Sequence, residues 1–233
     1  MPAEQTLNAL AVFMAERYGA IAGTLAKMKR AINQNGGHFN DCLAQQPPRV
    51  ISDCCQWCTR LHELGFLEEY HYKPAPQCQI VGRVSSLPLV QGFLSGHWLE
   101  RAVLELLRAR APAGVGFESL LNPQIVLPNG NDFELDVLAA IGEQVWWVEA
   151  KTGDYQPHLA KYAAVQRLLQ VAQPYAVLVL PDLPSERCRT LTQLYSLTVC
   201  NIADFVQHVA ERTGVGKETE AALPVAEPPA PPA

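Results

Sequence analysis

The chain has 233 residues and a mass of 25.6 kDa, with 48% hydrophobic and 18% charged residues. A chain of this length buries about 70% of its unfolded surface without disulfide or metal staples, and its composition excludes wholesale disorder. The net charge of −5 is unevenly spread: residues 1–86 carry +1, residues 87–213 carry −4 and the remainder −2. An acidic central region excludes a broad electrostatic footprint for nucleic acid, so if it meets phosphate a cation must offset its own carboxylates. Apolar runs such as Tyr175–Pro181 fall short of the roughly 18 residues of a membrane span, and Glu4 stands where a secretory signal carries positive charge. Seven cysteines are an odd number for a secreted disulfide framework. The expectation is a cytoplasmic globular protein with no membrane partner.

The first segment reads as helices followed by a hairpin. Thr6–Tyr18 places Leu7, Leu10, Ala11 and Met14 at helical spacing. Thr24 is an N-cap candidate for a second helix with Leu25, Met28 and Ile32 inward and Lys27, Lys29 and Arg30 clustered nearby. Asn33–Gly37 breaks the pattern. A third helix starts near Ser52, presents Cys54, Trp57, Cys58, Leu61 and Leu64, and stops at Gly65. Phe66–Lys73 and Gln79–Val84 then read as strands joined through Pro74-Ala75-Pro76. Helices followed by a two-stranded ribbon is the winged-helix order, a module that reads DNA with its last helix, here exposing Arg60 and His62. Winged helices also serve as protein-contact modules, so this order alone leaves both uses open.

Pro88 marks a boundary. Beyond it the patterns predict a helix over Gly92–Arg110, strands at Pro123–Leu127, Glu134–Ile141 and Gln144–Ala150, and a helix over His158–Ala172. A strand at Ala176–Leu180, a helix at Ser185–Leu194, a strand at Leu197–Cys200 and a helix at Ile202–Arg212 complete a mixed α/β sheet covered by helices. The organisation is a winged-helix-like module over 1–86, a second domain over 87–213 and a Pro-rich tail over 214–233.

The chemistry concentrates in Glu134-Leu135-Asp136-Val137-Leu138 and Trp146-Trp147-Val148-Glu149-Ala150-Lys151. In a strand, residues two apart share a face, so Glu134 joins Asp136, and Glu149 joins Lys151. Buried unpaired charge costs several kcal/mol, so carboxylates on otherwise apolar strands are paired or coordinate a metal. Hard divalent cations take such oxygens together with water and phosphate oxygens.

An Asp on one strand followed by Glu-x-Lys on the next resembles the PD-(D/E)xK nuclease superfamily. Together with Phe93-Leu94-Ser95-Gly96-His97-Trp98-Leu99-Glu100 and Val148-Glu149-Ala150-Lys151-Thr152-Gly153, over Leu87–Phe205, it is most similar to the nuclease domain of the CRISPR-associated Card/Can ancillary nucleases. The resemblance implies a restriction-endonuclease-like fold and hydrolysis of DNA, or RNA, in anti-phage defence. It implies that Asp136, Glu149 and the Ala150 carbonyl bind Mg²⁺ or Mn²⁺, Glu100 binds it directly or through water, and Lys151 serves the attacking water. Glu134 is a weaker ligand candidate; His158, Lys161 and Gln166 are candidate phosphate or water contacts, Lys161 foremost. The first 86 residues do not resemble the Rossmann-like cyclic-oligoadenylate sensor of those proteins, so ligand gating is not implied. A homodimer is expected, because cutting both strands takes two centres.

Blander readings stand beside these. Asp136, Glu149 and Lys151 could be a cross-strand ion pair, worth little at a surface, and Glu100 could pair with Arg101. Trp146 and Trp147 read as packing rather than base-stacking platforms. His38, Cys42, Cys54, Cys55, Cys58 and His62 offer half of a zinc site, but Cys54 and Cys58 sit one helical turn apart beside Leu61, as buried thiols do. The alternative function is a non-catalytic nucleic-acid-binding or transcription-regulatory protein that keeps the nuclease-like fold.

Overall fold

The computed structural model describes residues 2–34 and 36–215; most of the expected Pro-rich tail lies outside them. α1 (Pro2–Glu16) and α2 (Tyr18–Gln34) are separated only by Arg17. α1 buries Leu10, Ala11, Phe13 and Met14, and α2 buries Ile21, Leu25, Met28 and Ala31, the stripes that a 3.6-residue period lays along one side. α2 runs through Thr24 rather than starting there. Thr24 is buried, and its hydroxyl donates to Asp41 Oδ2 at 2.6 Å, so its partner is a carboxylate across the core, not a helix terminus.

Three antiparallel strands follow the helices: β1 (His38–Cys42), β2 (Leu67–Lys73) and β3 (Gln79–Val84), in the order β1-β3-β2. α3 (Pro48–Glu63) precedes the hairpin, with proline in its first turn and Gly65 at φ +73° just beyond its end. β1 escapes the sequence reading because His, Asn and Asp are poor strand formers. Its Phe39 and Asp41 nevertheless point inward, and Asp41 is held by Thr24 and Lys27.

The helix expected over Gly92–Arg110 is longer and interrupted. α4 (Pro88–Gly92) passes through a π turn at Phe93–His97 into α5 (Trp98–Arg108). α5 keeps Glu100, Arg101, Glu105 and Arg108 along one side and buries Trp98, Leu99, Ala102, Val103, Leu106 and Leu107 between α1 and the second sheet. That sheet has the order β10-β9-β8-β7-β4, with β4 (Phe117–Leu121), β7 (Val137–Ile141) and β8 (Gln144–Ala150) antiparallel, and β8, β9 (Ala176–Val179) and β10 (Thr198–Cys200) parallel. Parallel neighbours need crossover helices, supplied by α6 (Leu159–Leu169) and α7 (Ser185–Leu194); α8 (Ile202–Thr213) closes the chain. This is a mixed α/β sheet flanked by helices, preceded by a small α+β unit in which β1 comes between α2 and α3 and adds a third strand to the expected two-stranded ribbon.

The pleat of β8 divides the core. Trp146, Val148 and Ala150 join α5, α8 and the N-terminal helices in one continuous cluster, whereas Trp147 joins α6 and α7 on the opposite face. The strand expected over Glu134–Ile141 is broken. β6 (Asp132–Glu134) pairs with β5 (Gln124–Val126), and Leu135–Asp136 link it to β7. Leu135 enters the cluster with α6 while Val137 enters the one with α5, which an unbroken strand forbids for residues two apart. The partner strand bends at the same level, at Asn122 (φ +54°) and Pro123; Asn122 N donates to Asp136 O, and Leu135 N to Pro123 O, both at 3.0 Å.

Candidate active site

That bend delivers Asp136 to the end of β8. The Ala150 amide donates to Asp136 Oδ2 at 2.8 Å, and the Asp136 amide donates to Glu149 Oε1 at 3.2 Å. The indole Nε1–H of Trp147, two residues before Glu149 and on its face, donates to the same Oε1 at 2.9 Å. The Tyr162 hydroxyl on α6 also bonds the Glu149 carboxylate. Both acids are buried, Asp136 at 9% and Glu149 at 3% exposure. Burial and then repulsion from Asp136 push the Glu149 carboxyl up to about 8, against the pull of Trp147, the Asp136 amide and Tyr162.

Glu100 approaches from α5. Asn122 Nδ2 donates to Glu100 Oε2 at 3.2 Å, so the residue at the strand bend also orients the helix carboxylate. Burial and then Asp136 raise the Glu100 carboxyl, and His97 and Asn122 oppose them. Arg101 turns the other way, donating to Asn8 Oδ1 at 2.9 Å, so Glu100 and Arg101 do not pair. The π turn just before Glu100 is a feature that recurs at functional sites. Its His97 ring lies against Gly92, where an added Cβ would come within 3.1 Å of it.

Asp136 is raised first by burial, and the Ala150 amide and then Lys151 oppose this. Lys151, just past the end of β8, acts on Asp136 as a nearby opposite charge without forming a direct ion pair among the described residues. Glu134 acts on both Asp136 and Glu100 as a like charge, which places it at the rim, with its own Oε2 taking a bond from Gln124 at 2.9 Å. Sequence reasoning missed Tyr162, Asn122, His97 and the indole of Trp147. Tyr162 reads as one more apolar position of a helix, and only its approach to Glu149 reveals a second use.

Among the described residues no three His, Cys, Asp or Glu side chains are grouped closely enough to cage a metal ion. The fit to a cation therefore rests on the donors. The amide, indole and Asn122 bonds use one oxygen of each acid: Oδ2 of Asp136, Oε1 of Glu149 and Oε2 of Glu100. Mg²⁺ keeps several waters and is commonly held by one or two carboxylates plus substrate phosphate, without an all-protein cage. Asp136 raises both Glu100 and Glu149 as a like charge, while Lys151 offsets Asp136, and a bound cation would relieve that mutual repulsion.

The remaining candidates are dispersed. Lys161 Nζ lies 4.6 Å from the centre of the Phe133 ring, which meets Trp147 and Tyr162 edge-on, one layer out from Glu149. His158 stacks on Tyr162 with ring centres 5.9 Å apart. Gln166 turns to the Val171 carbonyl at the end of its own helix. Arg60 on α3 is exposed, and its guanidinium lies 4.1 Å over the Phe13 ring of α1. Trp146 and Trp147 are both buried. Cys54 and Cys58 are fully buried, and His62 Nδ1 is bonded to the Leu67 carbonyl oxygen at 2.9 Å. No helix among the described residues is long and apolar enough to cross a membrane.

No protein-family model matches the chain, and no curated protein matches it. Solved structures do. Protein VC1899 from Vibrio cholerae is 19% identical with a TM-score of 0.56, the match covering 92% of this chain and 56% of that one. Can2 from Sulfobacillus thermosulfidooxidans, solved in complex with cyclic tetra-adenylate, is 15% identical with a TM-score of 0.57 over 88% of this chain and 56% of that one. At such identity the likeness establishes the fold alone, which this chain shares with both structures, and the chain spans little more than half of either. Matches over 88% and 92% cannot be reached by residues 87–213 alone. The likeness therefore extends into the N-terminal helices and strands, beyond the Leu87–Phe205 span that the motifs carry.

Proposed function

We propose that this protein is a metal-dependent nuclease of the PD-(D/E)xK type, hydrolysing phosphodiester bonds of DNA, or of RNA, in a CRISPR-linked or other anti-phage role. The observation that carries this reading is the mutual approach of Asp136 from the β6–β7 link, Glu149 from β8 and Glu100 from α5, with Lys151 acting on Asp136 as an opposite charge. The fold shared with Can2 agrees with it. Asp136, Glu149 and the Ala150 carbonyl would hold Mg²⁺ or Mn²⁺, with Glu100 bound directly or through water. The ion supplies charge for the phosphate and makes hydroxide accessible near neutral pH.

The protein's own groups do the rest. The indole of Trp147, the amide of Asp136 and the Tyr162 hydroxyl fix Glu149, so its charge need not reorganise during reaction. Lys151 holds the attacking water and offsets the negative charge that grows on the phosphate oxygens. Lys161 and Arg60 are the candidate contacts to neighbouring phosphates. Two copies acting as a homodimer would cut both strands of a duplex.

The test is cleavage of single- and double-stranded DNA and RNA with Mg²⁺ or Mn²⁺ by the wild type, Lys151→Ala and Asp136→Ala. Both variants are expected to lose activity by about a hundredfold or more while keeping the circular dichroism of the wild type. Equal cleavage by all three proteins overturns the assignment. The lack of a ready three-ligand group among the described residues favours one rival, a binding or regulatory protein on the same fold. Nucleic-acid binding that persists without divalent metal, with no cleavage of any substrate, would support that rival.

A further inference from the structure

The basic residues of α2 have no part in the catalytic arrangement above. Lys29 Nζ donates to Thr152 Oγ1 at 3.0 Å, and Thr152 directly follows Lys151. Thr152 Oγ1 in turn donates to the Ser95 carbonyl at 3.1 Å, within the π turn that leads to His97 and Glu100. A lysine of the N-terminal unit thus stands at the edge of the carboxylate site, half-buried, with Asp182 as the nearby opposite charge. Arg30 is exposed and has no ion-pair partner among the described residues. With Lys27 and His38 it lines an open groove of about 470 Å³ between α2 and the strands β1 and β3. Lys27 is partly neutralised there by Asp41. At 100° per residue Arg30 projects between Lys27 and Lys29, so the three form a fan from the groove to the site.

We propose that α2 is the rail on which the substrate backbone lies, with Lys29 taking a phosphate beside the scissile one and Arg30 the phosphates beyond it, along the groove towards His38. This rests on the nuclease reading for the identity of the substrate. Electrostatics give the reason. The sheet region carries −4 and gathers three carboxylates at the point of cleavage, with Lys151 as the cation acting on Asp136. A polyanion approaching that point needs positive charge from elsewhere, and α2 is where the fold brings it alongside. The N-terminal unit then forms one wall of the substrate cleft.

The test is fluorescence anisotropy with the full chain and labelled single-stranded and duplex oligonucleotides, in EDTA so that nothing is cut. Lys29→Ala and Arg30→Ala are each expected to weaken binding about tenfold and to lower the slope of log K against log salt by about 1. Lys29→Arg is expected to retain binding, and Arg187→Ala on α7 to leave it unchanged. In Mg²⁺, Arg30→Ala is expected to raise KM with kcat nearly unaltered. Wild-type affinity and salt slope in both alanine variants overturn the rail, as does a wild type that binds neither oligonucleotide. Because Arg30 is exposed, its variant reports without disturbing the Lys29–Thr152 bond. Binding that depends on α2 in a protein that cuts nothing removes the nuclease reading and keeps the rail. Cleavage that depends on Lys151 with binding indifferent to α2 does the reverse.

Discussion

Asp136 and Glu149 clasp one another's strands: the amide of Asp136 donates to the Glu149 carboxylate, and the Asp136 carboxylate takes the amide of Ala150, the residue after Glu149. Two acids that repel are thereby fixed side by side at the end of a sheet. Backbone amides hold them, so their separation does not depend on a bound ion. The repulsion is stored in the folded protein, and it is measurable.

Glu149, ordinarily near 4.5, titrates at about 8 in the folded chain, and Asp136 and Glu100 move in the same direction. Between those values the folded state keeps a proton that the unfolded state has lost. The unfolded state binds fewer protons there, and stability falls as pH rises. The expected outcome, in EDTA, is a Tm about 5 °C or more lower at pH 8 than at pH 5.5, with the decline clearly reduced in Glu149→Gln. Adding Mg²⁺ at pH 8 is expected to restore several degrees in the wild type and not in Asp136→Ala, since an ion that binds only the folded state stabilises it. Differential scanning fluorimetry across pH checks both.

Tyr162 gives a test that separates positioning from direct participation. Its hydroxyl bonds Glu149 from α6, and its ring belongs to the cluster of Trp147 and Phe133. Tyr162→Phe keeps the ring and removes the bond. Outer partners of metal-binding carboxylates are worth about 10–100-fold in metal affinity. The Mg²⁺ midpoint for cleavage is expected to rise by that factor, with kcat at saturating Mg²⁺ changed only a few-fold. An unchanged midpoint would show that Glu149 is positioned without Tyr162.

How far the sequence reveals this site depends on how local each feature is. Glu149 and Lys151 read as sharing a face because strands alternate; β8 spans the residues its pattern predicts, Gln144–Ala150, and Lys151 lies just past its end. Asp136 is legible as a residue but not in its placement. The alternation of Glu134–Ile141 reads as one strand, while the structure bends it at Leu135–Asp136 against Asn122–Pro123, and a bend shared by two strands far apart in sequence leaves no periodic trace. The π turn is hidden for a similar reason: Gly92–Arg110 has helical spacing throughout, and one widened turn alters the register without altering the composition. The approach of Lys29 to Thr152 is wholly tertiary, since it spans 123 residues. β1 was masked by its own polar residues, two of which, Asn40 and Asp41, favour turns in isolation.

The three-stranded sheet makes its own prediction through Gly82, which faces Phe39 on β1 and Tyr70 on β2. A Cβ there would stand 2.7 Å from the Glu69 carbonyl oxygen and 2.9 Å from the Phe39 ring. Phe39 is itself buried, and its ring occupies the space that glycine leaves at the middle of the central strand. Overpacking of this kind costs about 1–3 kcal/mol, or a Tm about 2–12 °C lower in a chain of this size. Thermal denaturation of Gly82→Ala checks it, with Gly116→Ala as a control at a position where an added Cβ meets nothing within 4 Å.

The thiols supply the last expectation. Cys42 is exposed, Cys55 and Cys78 are half-buried, and Cys54, Cys58, Cys188 and Cys200 are buried. Burial pushes the Cys54, Cys55 and Cys58 thiols up, takes Cys188 to about 11, and takes Cys200 to about 12. Since the thiolate is the reactive form, a raised pKa and lost access act together against modification. An aromatic disulfide reagent at pH 8 is expected to consume Cys42 in a fast phase and Cys55 and Cys78 more slowly. The four buried thiols are expected to react only on unfolding, at a rate that follows opening of the fold. Cys42→Ser is expected to remove the fast phase. α3 packs against α2 and β2, and rapid reaction of Cys54 or Cys58 in the native protein would mean that this packing opens readily.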